Sequence, residues 1–376
     1  MRILITGGAG FIGSHTADLL LAQGHEVRIL DILDPQIHGA TDVFPDYLDR
    51  RIECRRGDVR SLTDVIDALQ GVDAAFHLAA LTGVGQSMYD VRSYVDTNCT
   101  GTATVIEAIV KSEIPLKRLI VASSRAVYGE GTHTCRTHGM FLPEPRKRSD
   151  LERGVFDVLC PHCGNPVAPL PTAEDRPLKP MSVYACTKKQ QEDYCHYAAS
   201  VFSLPVTVLR YFNVYGSRQS LQNPYTGVVS IFFSRIKAGK PISLYERGKP
   251  TRDFVHVSDV ARANVLALEA AVPSGSCINV GCGSEATIRD IGNALAGAMG
   301  TAARFEDKGD FRVGDIHACS ADLKRAHDLL GYDPRTSLED GMKEFVAWAD
   351  TQPFADHYDK AVEELNRYGL FGQARQ

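Results

Sequence analysis

The 376-residue chain is 44% hydrophobic, enough to bury a large core in two or three domains. Its formal net charge of −5 supplies no basic field for nucleic acid or an anionic membrane, and no apolar run is long enough to span a bilayer. It opens directly on an apolar strand, leaving no room for a signal peptide, so a cytoplasmic protein is expected.

Ile3-Leu4-Ile5 reads as a strand, Gly7-Gly8-Ala9-Gly10-Phe11-Ile12-Gly13 as a glycine-rich turn, and the periodic Ala17, Leu19, Leu20 and Leu21 as a helix. Glycines at 8, 10 and 13 let the backbone turn tightly, approach a pyrophosphate and pack helix on strand. Gly7, Phe11 and Ile12 share that turn. A second strand, His25 to Leu30, ends at Asp31. A carboxylate there suits the two ribose hydroxyls of NAD and repels the extra phosphate of NADP. Strand-like runs recur at Ala74–Ala79, Arg118–Ser123 and Pro205–Tyr211, with helical patterns between them. The alternation predicts an α/β fold: a Rossmann-like, doubly wound parallel sheet with helices on both faces.

Between Gly129 and Met181 the periodicity disappears, and 8 of the 18 prolines crowd into Pro143 to Pro180, so this stretch does not belong to the alternating pattern. This stretch holds Cys135-Arg136-Thr137-His138 and Cys160-Pro161-His162-Cys163-Gly164. Two ligand pairs, each spaced by two residues, match a closed tetrahedral zinc site made of Cys135, His138, Cys160 and Cys163, with His133 and His162 as less well spaced competitors. With no open coordination position, the expected zinc is structural. The other seven cysteines, Cys99, Cys195 and Cys277 among them, are scattered singly, as small core residues are in a reducing compartment.

Tyr184 and Lys188, four residues apart, lie one above the other on a helix face, and Ser124 precedes them at the end of a strand. Free tyrosine titrates near 10, too high for a base at neutral pH, and a nearby cation lowers that value. The glycine turn, Ser124, Tyr184 and Lys188, in this order, resemble the extended short-chain dehydrogenase/reductase family, the branch acting on nucleotide sugars. The resemblance runs from Met1 to roughly Asp350 and is broken by the insertion, which stretches Ser124 to Tyr184 to 60 residues.

That resemblance implies NAD as cofactor and Tyr184 as base, with Lys188 holding the nicotinamide ribose and Ser124 hydrogen-bonding the reacting sugar hydroxyl. It gives Asp58, in Gly57-Asp58-Val59, a contact at the adenine end, and sets Leu78, Ala79 and Ala80 beside the pyrophosphate and nicotinamide ribose. Asn98, inside a helix, reads equally as a packing amide or a functional one. On the substrate side it implies Asn213 at the diphosphate or sugar, Arg252 and Arg312 on the diphosphate, and Asp315 on a ribose. Arginine's fork suits phosphate oxygens in a bidentate way. The family plan puts a NAD-binding domain at residues 1–210, interrupted by the zinc-knuckle insertion at 131–171. A smaller C-terminal substrate-binding lobe follows at 211–350, with some chain crossing back, and then a helical tail at 351–376. A homodimer is the family habit, through helices near Val95–Val110 and Val183–Ala199.

Sugar-nucleotide 4,6-dehydratases carry an Asp-Glu pair just after the strand-end Ser or Thr, and decarboxylases of the family usually keep a glutamate; here Arg125 and Ala126 stand there. Neither serves as an acid or base at neutral pH. What remains is a redox-neutral cycle: oxidise the sugar at C4, turn the ketone, return the hydride to the other face. A 4-epimerase is therefore expected. Thr82, where galactose-type UDP-hexose epimerases commonly have lysine, and the loop Ser220 to Gly227 differ from theirs. With the zinc knuckle, the chain resembles a bacterial subgroup acting on dTDP-6-deoxyhexoses such as dTDP-L-rhamnose. A UDP-glucose/galactose epimerase, a nucleotide-sugar reductase and a non-catalytic NAD-binding regulator are the alternatives.

Overall fold

The computed structural model describes residues 1–374 apart from Thr226; Thr226, in the loop singled out above, and Arg375 and Gln376 of the tail lie outside the described residues. Seven strands form the central sheet in the order Ser276–Val280, Val206–Tyr211, Arg118–Ser124, Ala74–His77, Arg2–Thr6, Glu26–Asp31 and Glu53–Arg56. Every neighbouring pair is parallel, with Ile5 in register between Ile29 and Phe76. Both faces of the sheet are covered, which is why its inner strands read as unbroken apolar runs. On one face the helices Phe11–Ala22 and Val257–Glu269 bury Ala17, Leu20, Val260 and Ala263. On the other, Leu62–Leu69, Gly101–Lys111 and Val183–Phe202 bury Val65, Ala68, Val105, Ala108 and Ala198.

Two strands carry no legible pattern. Glu53–Arg56 is a charged edge, held by Arg28 Nε to Glu53 at 2.8 Å and by Arg55 Nε to Glu53 at 2.8 Å. Ser276–Val280 returns to the central sheet late in the chain, beside Val206–Tyr211. The winding reverses between Arg2–Thr6 and Ala74–His77, and the crevice beyond their carboxyl ends is where such sheets bind ligands.

Over this crevice lies a lobe with its own core, including Phe232, Phe233, Leu244, Ile291 and Phe345. In it Asn213–Tyr215 pairs with Phe254–His256, and Ile242–Tyr245 pairs with Phe305–Arg312. The tail contributes the helix Tyr358–Arg367 and then a strand, Phe371–Gln373, that adds antiparallel to Phe305–Arg312. The Pro-rich insertion holds a small antiparallel sheet of His133–Cys135, Gly139–Phe141 and Ala168–Pro169.

Candidate active site

One cavity of about 750 Å³ runs from the glycine turn to the lobe. At its cofactor end Gly7 adopts φ +70°, and a Cβ there would meet the Ala79 backbone at 2.8 Å, so only glycine fits. The left-handed turn is thus at Gly7 rather than at Gly8, whose missing side chain instead admits Ile29 from the neighbouring strand. Gly10 precedes the helix and Gly13 lets it lie on the turn. Gly7, Gly10, Phe11, Ile12 and Gly13 all line the cavity, and the helix N-terminus beside them favours a pyrophosphate. Asp31 closes the second strand, accepting from Ala9 N at 3.0 Å and Leu33 N at 2.9 Å, with His38 Nε2 at 4.0 Å. Asp58 also lines the cavity; burial would raise its carboxyl, but the hydrogen bonds from Arg60 outweigh this and lower it. Val59 lines the cavity while packing against Gly101, and Leu78, Ala79, Ala80 and Thr82 complete this wall. The residues present fit NAD.

Ser124, Tyr184 and Lys188 converge on the same cavity. Ser182 caps the Tyr184 helix through Ala185 N at 3.1 Å, and Tyr184 N donates to Ser87 Oγ at 3.0 Å. Lys188 Nζ donates to the Ala122 carbonyl at 2.9 Å and lies 5.9 Å from the Tyr184 ring centroid. Burial pulls its ammonium down to about 8. Burial pushes the Tyr184 phenol up, against a hydrogen bond with Ser124 and the charge of Arg125. The pull expected from Lys188 therefore comes here from Ser124 and Arg125. One helical turn beyond Lys188, Glu192 accepts from Ser123 Oγ at 2.5 Å and from Arg210 at 2.9 and 2.7 Å, tying the helix to the strand end that carries Ser124. Asn98, in a π-helical turn spanning Val95–Thr100, accepts from Leu81 N at 2.8 Å and donates to Thr187 Oγ1 at 2.9 Å. It fastens the loop after Ala74–His77 to the Tyr184 helix.

On the lobe side Asn213 keeps a buried Oδ1 with no hydrogen-bond partner among the described residues. Asp315 bridges the two arginines, accepting from Arg252 Nη2 at 2.9 Å and Arg312 Nη2 at 2.9 Å. Burial would raise the Asp315 carboxyl, but Arg312, Arg252, Arg125 and Arg146 hold it well below the usual carboxylate range. Arg252 also donates to the carbonyls of Thr251, His317 and Ile316, so it organises loops as well as facing the cavity. Arg312 Nε, by contrast, is buried with no partner among the described residues. Tyr358, Ala361, Val362 and Leu365 of the tail helix also line the cavity, a contribution the sequence reading missed. Their i, i+3, i+4, i+7 spacing was the available signal.

Cys135, His138, Cys160 and Cys163 offer four ligand atoms within 4.8 Å of one another. Cys135 Sγ lies 3.7 Å from Cys163 Sγ and 3.6 Å from His138 Nδ1, and Cys160 Sγ is 3.4 Å from the same nitrogen. Tetrahedral zinc–thiolate bonds set sulfurs about 3.8 Å apart, so the set fits zinc. The backbone amides of Thr137 and His138, with the His138 ring, pull the Cys135 thiol down to about 6. His133 lies outside the cluster, its Nδ1 on the Gly131 carbonyl at 2.9 Å; His162 only packs beside His138, ring centroids 5.0 Å apart.

Residues 3–148 and 163–281 match the NAD dependent epimerase/dehydratase family, and the break falls inside the insertion. The chain is 37% identical to the dTDP-L-rhamnose 4-epimerase of Burkholderia thailandensis, over 92% of this chain and 94% of that one. It is 30% identical to a putative UDP-glucose 4-epimerase of Methanocaldococcus jannaschii, over 92% and 97%. The UDP-glucuronic acid 4-epimerase of Bacillus cereus, solved with UDP-glucuronic acid and NAD, superposes with a TM-score of 0.76 at 29% identity, covering 93% of this chain and 99% of its own. The chain belongs to the NAD-dependent epimerase/dehydratase family.

Proposed function

We propose that this protein is an NAD-dependent nucleotide-sugar 4-epimerase whose preferred substrate is a dTDP-6-deoxyhexose such as dTDP-L-rhamnose. The observation that carries the reading is the convergence of Ser124, Tyr184 and Lys188 on a cavity whose next residues, Arg125 and Ala126, provide no acid to expel water. Gly7, Gly10, Gly13 and Asp31 would hold NAD, which when bound supplies reversible hydride exchange. Tyr184 takes the proton of the C4 hydroxyl, with Ser124 donating to the same oxygen; Ser124 and Arg125 are the groups that favour the Tyr184 phenolate against the opposing effect of burial. The C4 hydride would pass to bound NAD, leaving a ketone, and would return to the opposite face once the sugar has turned; Tyr184 then gives the proton back. Asn213, Arg252 and Arg312 hold the diphosphate, and Asp315, which bridges the two arginines, faces the nucleotide ribose. UDP-glucose/galactose is the second choice of substrate, supported by the putative UDP-glucose 4-epimerase relative.

The test is NMR of purified protein with dTDP- and UDP-sugars and no added cofactor. Epimerisation in heavy water should leave no deuterium at C4, because the hydride leaves and returns; deuterium there would sink the mechanism. Nearly stoichiometric NAD should be released on denaturation, which a reductase or silent regulator with exchangeable cofactor does not require.

We propose zinc at Cys135, His138, Cys160 and Cys163 as a structural ion, since all four positions are filled by protein. We also propose a cytosolic homodimer. Val91 and Val95 on one helix and Tyr197, Val201 and Phe202 on the Tyr184 helix are exposed, and light scattering reads the mass.

A further inference from the structure

The insertion does more than carry the proposed zinc ligands. Its Leu151 and Phe156 pack on Phe311, with Val313 against the same cluster, so they cushion both neighbours of Arg312. Between the two ligand pairs stands Arg146, whose side chain is 7% exposed. It donates to Glu130 at 3.1 Å, to both carboxylate oxygens of Glu246 (3.0 Å to Oε1), to the Phe156 carbonyl at 2.9 Å and to the Asp315 carbonyl at 2.8 Å.

Those partners reach the substrate side. Glu130 accepts from His317 N at 2.9 Å and Ala318 N at 3.4 Å, fixing the far end of the segment whose near end Arg146 holds directly. Arg252 is bonded to Ile316 and His317 in that segment. Glu246 is itself held left-handed, at φ +49°, followed by Arg247 at +61°. Side-chain-bearing residues keep such conformations where the surroundings over-determine them. Here the fork of Arg146 and the His317 ring, 3.7 Å from Glu246, do so.

We infer that Arg146 is a positioning residue for the substrate diphosphate: from the insertion it fixes the 312–318 segment so that Arg312 and Asp315, with Arg252, face the cavity in register. The inference rests on the nucleotide-sugar reading above. The bland alternative is a buried ion cluster that only stabilises the fold. The two differ in what is lost first. A positioning role predicts loss of diphosphate affinity with chemistry and cofactor intact; a purely structural one predicts that all decline together.

The experiment uses the full-length holoenzyme, its Arg146→Gln, Arg146→Lys and Glu246→Gln variants, and the Arg146→Gln/Glu246→Gln double variant. It measures kcat and KM for epimerisation, NAD released on denaturation, and calorimetric binding of dTDP and UDP. Arg146→Gln should raise KM and weaken dTDP or UDP binding by about tenfold, with kcat and NAD content within about twofold. Arg146→Lys should recover part of the binding, because it restores the charge without the fork. The Arg146→Gln/Glu246→Gln double variant should bind no worse than the weaker single variant, since both act through one link. Wild-type affinity in Arg146→Gln, or a parallel fall in kcat, NAD content and binding in the soluble Arg146→Lys and Glu246→Gln variants, would overturn the inference alone. A wild-type protein that binds neither dTDP nor UDP would overturn the nucleotide-sugar reading and the inference with it.

Discussion

At the strand ends of the central sheet, Gly7 comes so close to Ala79 that a Cβ would meet its backbone at 2.8 Å; across the cavity, Arg252, Arg312 and Asp315 are held by one another and by loop carbonyls. The first wall is made of backbone and follows from local sequence. The second is a charge network drawn from segments far apart in the chain, with Arg146 and Asp315 separated by 169 positions. The difference implies that changes on the substrate side should alter affinity and leave cofactor retention alone.

The largest effect should come at the seam between the walls. Tyr184→Phe keeps the ring and removes the proton acceptor, so kcat should fall by about 10²–10⁴ while nucleotide sugar still binds. Near-wild-type turnover would require another base. Arg312→Ala should be the cleaner probe of the substrate wall, because Arg312 Nε has no partner among the described residues whereas Arg252 also holds three carbonyls. Loss of one charged hydrogen bond should cost about 1.5–3 kcal/mol of diphosphate binding with NAD content unchanged, and falling NAD content would blur the division.

The pH profile reads the seam more gently. Burial sets Lys188 near 8, so its ammonium is present below that pH and lost as pH rises through it. The alkaline limb of kcat/KM should therefore drop by about tenfold per pH unit above the break. Asp315, held low, stays ionised through the neutral range and adds no break there. The smallest expected change in rate follows Cys160→Ser: zinc lost by elemental analysis, local unfolding of 131–171 by hydrogen exchange, and a KM raised several-fold before any loss of NAD. Unchanged exchange in a zinc-free variant would remove the metal from the argument.

Sequence reached the backbone wall almost completely, because a glycine turn, an apolar strand and a terminal carboxylate are local signals. It also singled out Ser124, Tyr184 and Lys188, which line one cavity, and Cys135, His138, Cys160 and Cys163, whose ligand atoms cluster. It credited Gly8 with the tight turn, whereas the left-handed residue is its neighbour Gly7; adjacent glycines are indistinguishable until Ile29 occupies the space over Gly8. Glu53–Arg56 escaped because an edge strand needs no apolar alternation when Arg28 and Arg55 neutralise its glutamate. Arg146 and Glu246 were invisible for a deeper reason. An arginine within the charged, Pro-containing run Glu144 to Asp150 looks solvated, and only the fold brings its partners within 3.1 Å.

The helix carrying Asn98 runs from Val91–Tyr94 through the π turn Val95–Thr100 into Gly101–Lys111. A π turn holds one residue more than an α turn, as if a letter had been added to a finished word. Deleting a residue from an ordinary helix swings everything beyond it by about 100° and turns its buried face outward. Here the excess itself can be removed. A chain lacking Thr97 should close into plain α-helix with Gly101 still against Val59 and Ala108 still in the core. It should melt close to the parent while losing the Asn98 link between Leu81 and Thr187, a separation of fold from site that thermal melting and turnover measured side by side would reveal.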